Sequence, residues 1–271
     1  IPQTLKWDES YRQNIIDTYF TLTKQAANDK PDLIIWPETS FPADLKLEPE
    51  LANRFFGLAK SVNAYLLVGA NRFEGEKIFN STYLIGPDGE IKQYYDKLHL
   101  VPFGEYMPKI PKFLYKVLPE KINMVGDFSQ GENYTVFDSP VKFSTLICFE
   151  DVFPWLSRQM VKNGANMLVN ITNDGWYGIS GAPFQHAQAS VLRAVENRVP
   201  VVRAANTGYS VFIDEKGIVI DRVPPFTAGY KTKDISVGAN LCVRPSMGRH
   251  VGLPLHTFYN THPYIFIGIS F

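Results

Sequence analysis

Residues 142–160 read KFSTLICFEDVFPWLSRQM, and this stretch shows how the chain is built. An apolar run typical of a buried strand reaches Cys148, and two acids and a helical pattern follow directly. Strands that alternate with helices are typical of layered α/β proteins. In such proteins, ligand-contacting groups gather at the carboxyl ends of strands. The stretch therefore predicts an α/β fold with Cys148 facing a pocket.

The same alternation continues on both sides of this stretch. Apolar spacing and Gly/Pro punctuation predict helices over 11–29, 50–62, 153–163 and 183–198, strands over 33–36, 64–70, 144–149, 166–171 and 200–205, and hairpins over 78–95 and 209–223. Residues 101–133 resist assignment and residues 223–263 read as a loop, and the length of both stretches makes them candidate lids or binding loops. We expect a single domain over residues 1–271, with 264–271 forming either a last strand or the start of a membrane helix.

Composition excludes several classes of function. Lys and Arg together number 27, as do Asp and Glu, so no basic excess points to nucleic acid. Two cysteines, Cys148 and Cys242, form neither a disulfide framework nor a zinc pattern. The sequence holds no run of 18 apolar residues, so nothing in it is expected to span a membrane by itself.

Four residues with complementary chemistry follow predicted strands. Glu38 lies in WPET, Lys97 and Glu105 lie in DKLHLVPFGE, and Cys148 lies in ICFED. A thiolate can attack a carbonyl carbon, a carboxylate can take the thiol proton, and an ammonium can stabilise the oxyanion and favour the thiolate. Taken singly, each residue has a simpler explanation as a buried small side chain or a surface charge. Their joint occurrence favours catalysis.

These motifs, with NDGWYG at 173–178, resemble the nitrilase superfamily. The resemblance covers most of the chain and implies an αββα four-layer sandwich. It also implies that Glu38 is the general base, Lys97 the oxyanion-stabilising lysine, Cys148 the nucleophile and Glu105 an acid that orients the lysine.

Within that superfamily, the stretch FQHAQASVLRAVENRVPVVRAANTG is similar to bacterial apolipoprotein N-acyltransferases. That branch implies acyl transfer from a phospholipid such as phosphatidylethanolamine to a diacylglyceryl-cysteine apolipoprotein, through a cysteine thioester. It implies no metal or organic cofactor. It also implies a domain on the periplasmic face of the bacterial inner membrane, in contact with the membrane surface.

Five further residues are expected to contact substrate. By the resemblance, Trp7 and Glu150 match residues of the acyltransferase branch near the active site. Phe149, Trp176 and Tyr177 are candidates for an apolar wall that keeps water from a thioester. For Trp176 and Tyr177, simple loop packing is the alternative.

Two other functions stay open at this point. A soluble amidase could use the same triad to hydrolyse a small carboxamide. A catalytically inactive domain could bind lipoproteins without turning them over, although the intact set of Glu38, Lys97 and Cys148 argues against it.

Overall fold

The computed structural model describes residues 9–41, 45, 48–108, 127–237 and 260–268. In this part of the chain the α-helices are α1 (Glu9–Ala26), α2 (Pro49–Val62), α3 (Pro154–Lys162) and α4 (Ala182–Asn197). The strands are β1 (Leu33–Ile35), β2 (Tyr65–Glu74), β3 (Lys77–Ile85), β4 (Ile91–Asp96), β5 (Phe137–Asp138), β6 (Lys142–Ile147), β7 (Met167–Asn173), β8 (Val201–Asn206), β9 (Ser210–Ile213), β10 (Val219–Val223), β11 (Gly229–Val237) and β12 (Asn260–Gly268). Short 3₁₀ helices cover Ala27–Asp29, Cys148–Val152 and Asp174–Tyr177.

The strands form two mixed sheets of six strands each. The first has the order β11-β12-β1-β2-β3-β4, and the second has the order β10-β9-β8-β7-β6-β5. At the centre of the first sheet β1 runs parallel to β2 and β12, and at the centre of the second β7 runs parallel to β6 and β8. Helices connect β1 to β2, β6 to β7 and β7 to β8, as parallel neighbours require. The loops that follow β1, β6 and β7 are therefore free to form a site.

Alternating side chains place each sheet between a helix layer and the other sheet. In β1, Ile34 joins the apolar cluster formed with α1 and α2, whereas Leu33 and Ile35 face the core shared with the second sheet. Met160 of α3 and Ala194 of α4 cover the second sheet from outside. The result is an αββα four-layer sandwich, and the predicted fold class is confirmed.

Trp36 fixes the segment that leads from β1 toward Glu38. Its ring stacks on Tyr19 of α1 with the ring centroids 4.6 Å apart, and its Nε1–H donates to Thr23 Oγ1 at 3.0 Å. Its backbone N–H donates to Leu67 O at 2.8 Å. A buried aromatic held by packing and by its polar group gives the following residues a rigid starting point.

The prediction of a loop over 223–263 is wrong for part of that range. Residues 229–237 form β11, which pairs antiparallel with β12. Its sequence GYKTKDISV is mostly polar, and only Ile235 and Val237 of this strand are buried. This polar pattern is the reason why the stretch read as a loop. Residues 264–268 belong to β12, which lies between β11 and β1.

Three other parts of the sequence predictions lie outside the described residues. They are Trp7, residues 109–126 of the unassigned stretch 101–133, and Cys242. No helix in the described ranges combines the length and apolarity that a membrane crossing requires.

Candidate active site

Glu38 lies in a tight turn after β1 that needs a glycine opposite it. Thr39 has a positive φ of 48°, and Phe41 N–H donates to Gly69 O at 3.1 Å. A Cβ atom at Gly69 would lie 2.7 Å from Pro37 O and Thr39 N. Gly69 therefore lets the Glu38 turn pack directly on β2, and the Glu38 side chain is buried.

Asn80 of β3 connects the two predicted carboxylates. Its Nδ2 donates to Glu38 Oε1 at 2.8 Å and to Glu105 Oε1 at 2.9 Å. The other oxygen of Glu38 accepts the backbone N–H of Asn173 at 2.8 Å, and the other oxygen of Glu105 accepts that of Val101 at 2.8 Å. Each carboxylate is thus held at both oxygens, so their orientation is set before any substrate binds.

Lys97 follows β4 and is only 1% exposed. Its Nζ pairs with Glu105 Oε1 at 2.8 Å, and its backbone is held by Asn80 O and by the N–H of Gly131. Burial lowers the pKa of Lys97, but Glu105, Cys148 and Glu38 together raise that pKa by more, so it lies above its ordinary value. Lys97 is therefore a fixed positive charge rather than a proton donor at neutral pH.

Cys148 follows β6 with a positive φ of 52° and is half-buried. Such a φ is uncommon for a residue other than glycine and marks a strained turn. Burial and the nearby Glu38 raise the pKa of the thiol above its ordinary value, although Lys97 and a hydrogen bond with Thr172 act in the opposite direction. Lys97 thus favours the thiolate, but the net effect leaves the thiol protonated at neutral pH.

Glu150, predicted to contact substrate, lies between the segment after Lys97 and the strand end before Cys148. Its carboxylate is fully buried. One oxygen accepts the N–H groups of Leu98 and His99 at 2.7 and 2.9 Å, the other accepts that of Ile147 at 2.7 Å, and Tyr95 OH lies 2.9 Å from both. Burial raises the pKa of Glu150 to about 7 against the opposing effects of Lys97 and these donors. Glu150 joins the segment after Lys97 to the strand end before Cys148.

Of the remaining predicted contact residues, Phe149 and Tyr177 both lie beside His186. Phe149 and Trp176 are exposed, the latter by 69%, and Tyr177 is half-buried. The rings of Phe149 and Tyr177 lie 5.7 and 6.1 Å from that of His186. Burial, with a smaller effect of Cys148, raises the pKa of Tyr177 to about 12. Trp7 lies outside the described residues.

Sequence reasoning missed Asn80, Gly69 and a set of buried charged residues beneath Cys148. A signal existed for some of them. Asn80 begins a polar run, Asn80–Thr82, between the apolar parts of its strand, and Arg203 is a charge inside the buried run VVRAAN. A buried polar residue in such a strand needs a partner, and that partner is often functional. Among the described residues, no group of His, Cys, Asp and Glu side chains is arranged to hold a metal ion.

The comparison with solved structures concerns the fold. The C. elegans NitFhit protein superposes with a TM-score of 0.62 at 21% identity, covering 79% of this chain and 55% of that one. An amidase from Nesterenkonia sp. superposes with a TM-score of 0.61 at 19% identity, covering 79% of this chain and 81% of that one. Both share the layered architecture.

Sequence comparison gives much higher identities. The apolipoprotein N-acyltransferase of Geobacter metallireducens is 41% identical over 246 residues, which are 88% of this chain and 46% of that protein. The corresponding enzyme of Allorhizobium ampelinum is 38% identical over 232 residues, 81% of this chain and 43% of that protein. The chain thus spans less than half the length of these relatives. The carbon-nitrogen hydrolase family model matches residues 3–239, and the chain therefore belongs to the carbon-nitrogen hydrolase family.

Proposed function

We propose that this chain is the catalytic domain of an apolipoprotein N-acyltransferase, formed as a single unit over residues 1–271. It transfers a fatty acyl chain from a phospholipid to the N-terminal amine of a diacylglyceryl-modified cysteine. The observation that carries the proposal is the hydrogen-bonded set of Glu38, Asn80, Glu105 and Lys97, whose Glu38 and Lys97 both affect the pKa of the Cys148 thiol. The relatives that bear the acyltransferase name support the choice of reaction.

In the first half-reaction, the sulfur of Cys148 attacks the ester carbonyl of the phospholipid while Glu38 takes the thiol proton. The raised pKa of the thiol makes this base necessary, since few thiolates exist at neutral pH. A C–S bond forms, and Lys97 stabilises the negative charge on the carbonyl oxygen. The C–O bond then breaks, and Glu38 returns the proton to the departing lysophospholipid oxygen. A thioester on Cys148 remains.

In the second half-reaction, the amine of the apolipoprotein cysteine attacks the thioester carbonyl. Glu38 takes a proton from the attacking nitrogen, a C–N bond forms and the C–S bond breaks. The proton passes back to the sulfur of Cys148, so the enzyme ends in its starting state. Lys97 keeps its proton throughout because Glu105 and Glu38 hold its pKa high.

The outer surface near Cys148 suits a lipid substrate. Trp176 and Ile179, just beyond β7, are 69% and 94% exposed, and Phe184 at the start of α4 is 53% exposed. Where exposed apolar groups form one contiguous patch, they mark a surface that binds a protein or a membrane. We infer that this rim faces the periplasmic surface of the bacterial inner membrane and receives acyl chains there.

The proposal is tested by supplying both substrates in detergent. The protein is incubated with phosphatidylethanolamine and a diacylglyceryl-cysteine peptide, and the acylated peptide is measured by mass spectrometry. We expect product with the wild-type protein and none with Cys148→Ser.

Two other outcomes would contradict it. Ammonia release from small carboxamides, with no peptide acylation, would indicate an amidase. Peptide binding without either activity would indicate a binding domain.

A further inference from the structure

A buried charged network lies beneath Cys148 and takes no part in the proposed acyl transfer. Arg203 of β8 is completely buried and pairs with Asp151 at 2.9 Å and with Asp174 at 3.0 Å. His186 of α4 lies between the same two acids, 2.9 Å from Asp174 Oδ1 and 3.1 Å from Asp151 Oδ1. Burial of so many charged groups costs folding free energy, which raises the question of what the network contributes to Cys148.

Two side chains of this network converge on one atom, the carbonyl oxygen of Cys148. Asn170 Nδ2 donates to it at 3.0 Å, and His186 Nε2 lies 3.3 Å from it. Arg203 Nη1 donates to Asn170 Oδ1 at 2.5 Å, which fixes the amide with its Nδ2 toward the carbonyl. Arg203 also lies 2.9 Å from His186 Nδ1. One buried arginine therefore orients both groups.

The surroundings of His186 establish which nitrogen carries a hydrogen. Nε2 faces the Cys148 carbonyl and Asp151 Oδ1, and both of these can only accept a hydrogen bond. Nδ1 lies between the Asp174 carboxylate and Arg203 Nη2, an acceptor and a donor. Nε2 is therefore protonated whether the ring is neutral or charged, and it serves as a donor to the nucleophile's backbone.

The Cys148 backbone needs such support because of its positive φ of 52°. A non-glycine residue persists in that conformation only where its surroundings hold it. The network forms hydrogen bonds with the carbonyl group of Cys148, and the orientation of this carbonyl sets the direction of the adjoining Cα–Cβ bond. Loss of these hydrogen bonds would let the thiol move away from Glu38 and Lys97.

We propose that His186 is a positioning residue. Together with Asn170, and oriented by Arg203, it holds the Cys148 carbonyl by a hydrogen bond and so directs the thiol toward Glu38. The inference rests on Cys148 being the nucleophile of the proposed function. It adds that residue 186 must supply a hydrogen-bond donor, although this residue does not contact substrate.

The test compares His186→Gln with His186→Met, two unbranched side chains of similar length. Glutamine keeps an N–H donor and methionine does not. The rate of Cys148 alkylation by iodoacetamide, followed by peptide mass spectrometry, reports the placement of the thiol without any lipid. We expect the Met variant to react about 10-fold or more slowly than wild type, and the Gln variant to stay within about 3-fold of wild type.

Two controls separate placement from stability. Gln188→Ala alters an exposed position on the same helix, and Val202→Ala trims a buried side chain next to Arg203 without touching the Cys148 carbonyl. Both should alkylate at the wild-type rate, whatever their melting temperatures.

The outcomes are distinct for this inference and for the proposed function. Equal alkylation rates in the Met variant and wild type, with both folded, would overturn the positioning role. Should the Met variant fail to fold, a folded Gln variant that loses 10-fold or more would overturn it as well. A slow Met variant and a normal Gln variant would support the role, even if the wild-type protein acylated no peptide and the proposed function failed.

Discussion

Gly69→Ala should displace the turn that carries Glu38, although the added methyl group would not touch substrate. The added Cβ would lie 2.7 Å from Pro37 O and Thr39 N, whereas ordinary contact begins at 3.4 Å. The turn that carries Glu38 must then move by about 0.7 Å, because both close atoms belong to the backbone. Overpacking of this kind costs about 1–3 kcal/mol of unfolding free energy. A displaced base should also lower the acylation rate about 10- to 100-fold.

Gly57→Ala is the matched control for this prediction. Gly57 lies in the exposed part of α2 with nothing within 4 Å of its added Cβ. Alanine is the better helix former, so we expect this variant to gain about 0.5–1 kcal/mol and to keep full activity. Urea denaturation and the rate of Cys148 acylation measure both effects. A Gly69→Ala protein with wild-type stability and rate would show that close packing at Gly69 does not position the Glu38 turn.

Three further predictions concern the buried charges. Lys97→Met should lose about 3–5 kcal/mol, because the largely buried Glu105 carboxylate, 13% exposed, loses its only cationic partner among the described residues and keeps only neutral hydrogen-bond donors. Adding Glu105→Gln should restore part of that stability but none of the activity, as measured by urea denaturation and peptide acylation. Asn80→Ala should lower the melting temperature, and Asn80→Asp should lower it further, because a third carboxylate would face two others. Glu150 has a folded-state pKa of about 7 against an ordinary value of 4.5, so the folded protein binds more protons between these values and its stability falls as pH rises through them. From pH 5 to pH 8 the unfolding free energy of wild type, relative to Glu150→Gln, should fall by about 2–3 kcal/mol, and parallel pH curves would contradict this.

Residue chemistry and strand patterns were enough to predict the candidate site residues that follow strands and the layered fold. Strand ends and acid–base complementarity singled out Glu38, Lys97 and Cys148, and in the folded chain Glu38 and Lys97 both affect the pKa of the Cys148 thiol. The alternation of apolar runs predicted the layers because parallel strands need helical connections. Strand β11 was missed because its pattern is mostly polar, as in many edge or partly exposed strands.

The role of Glu150 could not be predicted from its neighbours in sequence. Its hydrogen-bond donors include the backbone N–H groups of Leu98 and His99, about fifty residues earlier in the chain. An acid two residues after a nucleophile suggests contact with substrate, but only the folded chain shows that backbone groups surround it. The network around Arg203 was missed for the same reason, since its acids come from loops after β6 and β7.

We expect Cys148 to accept an acyl chain from phospholipid. Intact mass spectrometry after incubation with phosphatidylethanolamine in detergent, with Cys148→Ser alongside, detects this step. We expect a mass increase of one acyl chain on wild type only, localised to Cys148 and removed by hydroxylamine as a thioester should be. An adduct that persists in Cys148→Ser, or no adduct on a wild-type protein whose Cys148 still reacts with iodoacetamide, would rule out Cys148 as the acceptor of the acyl chain.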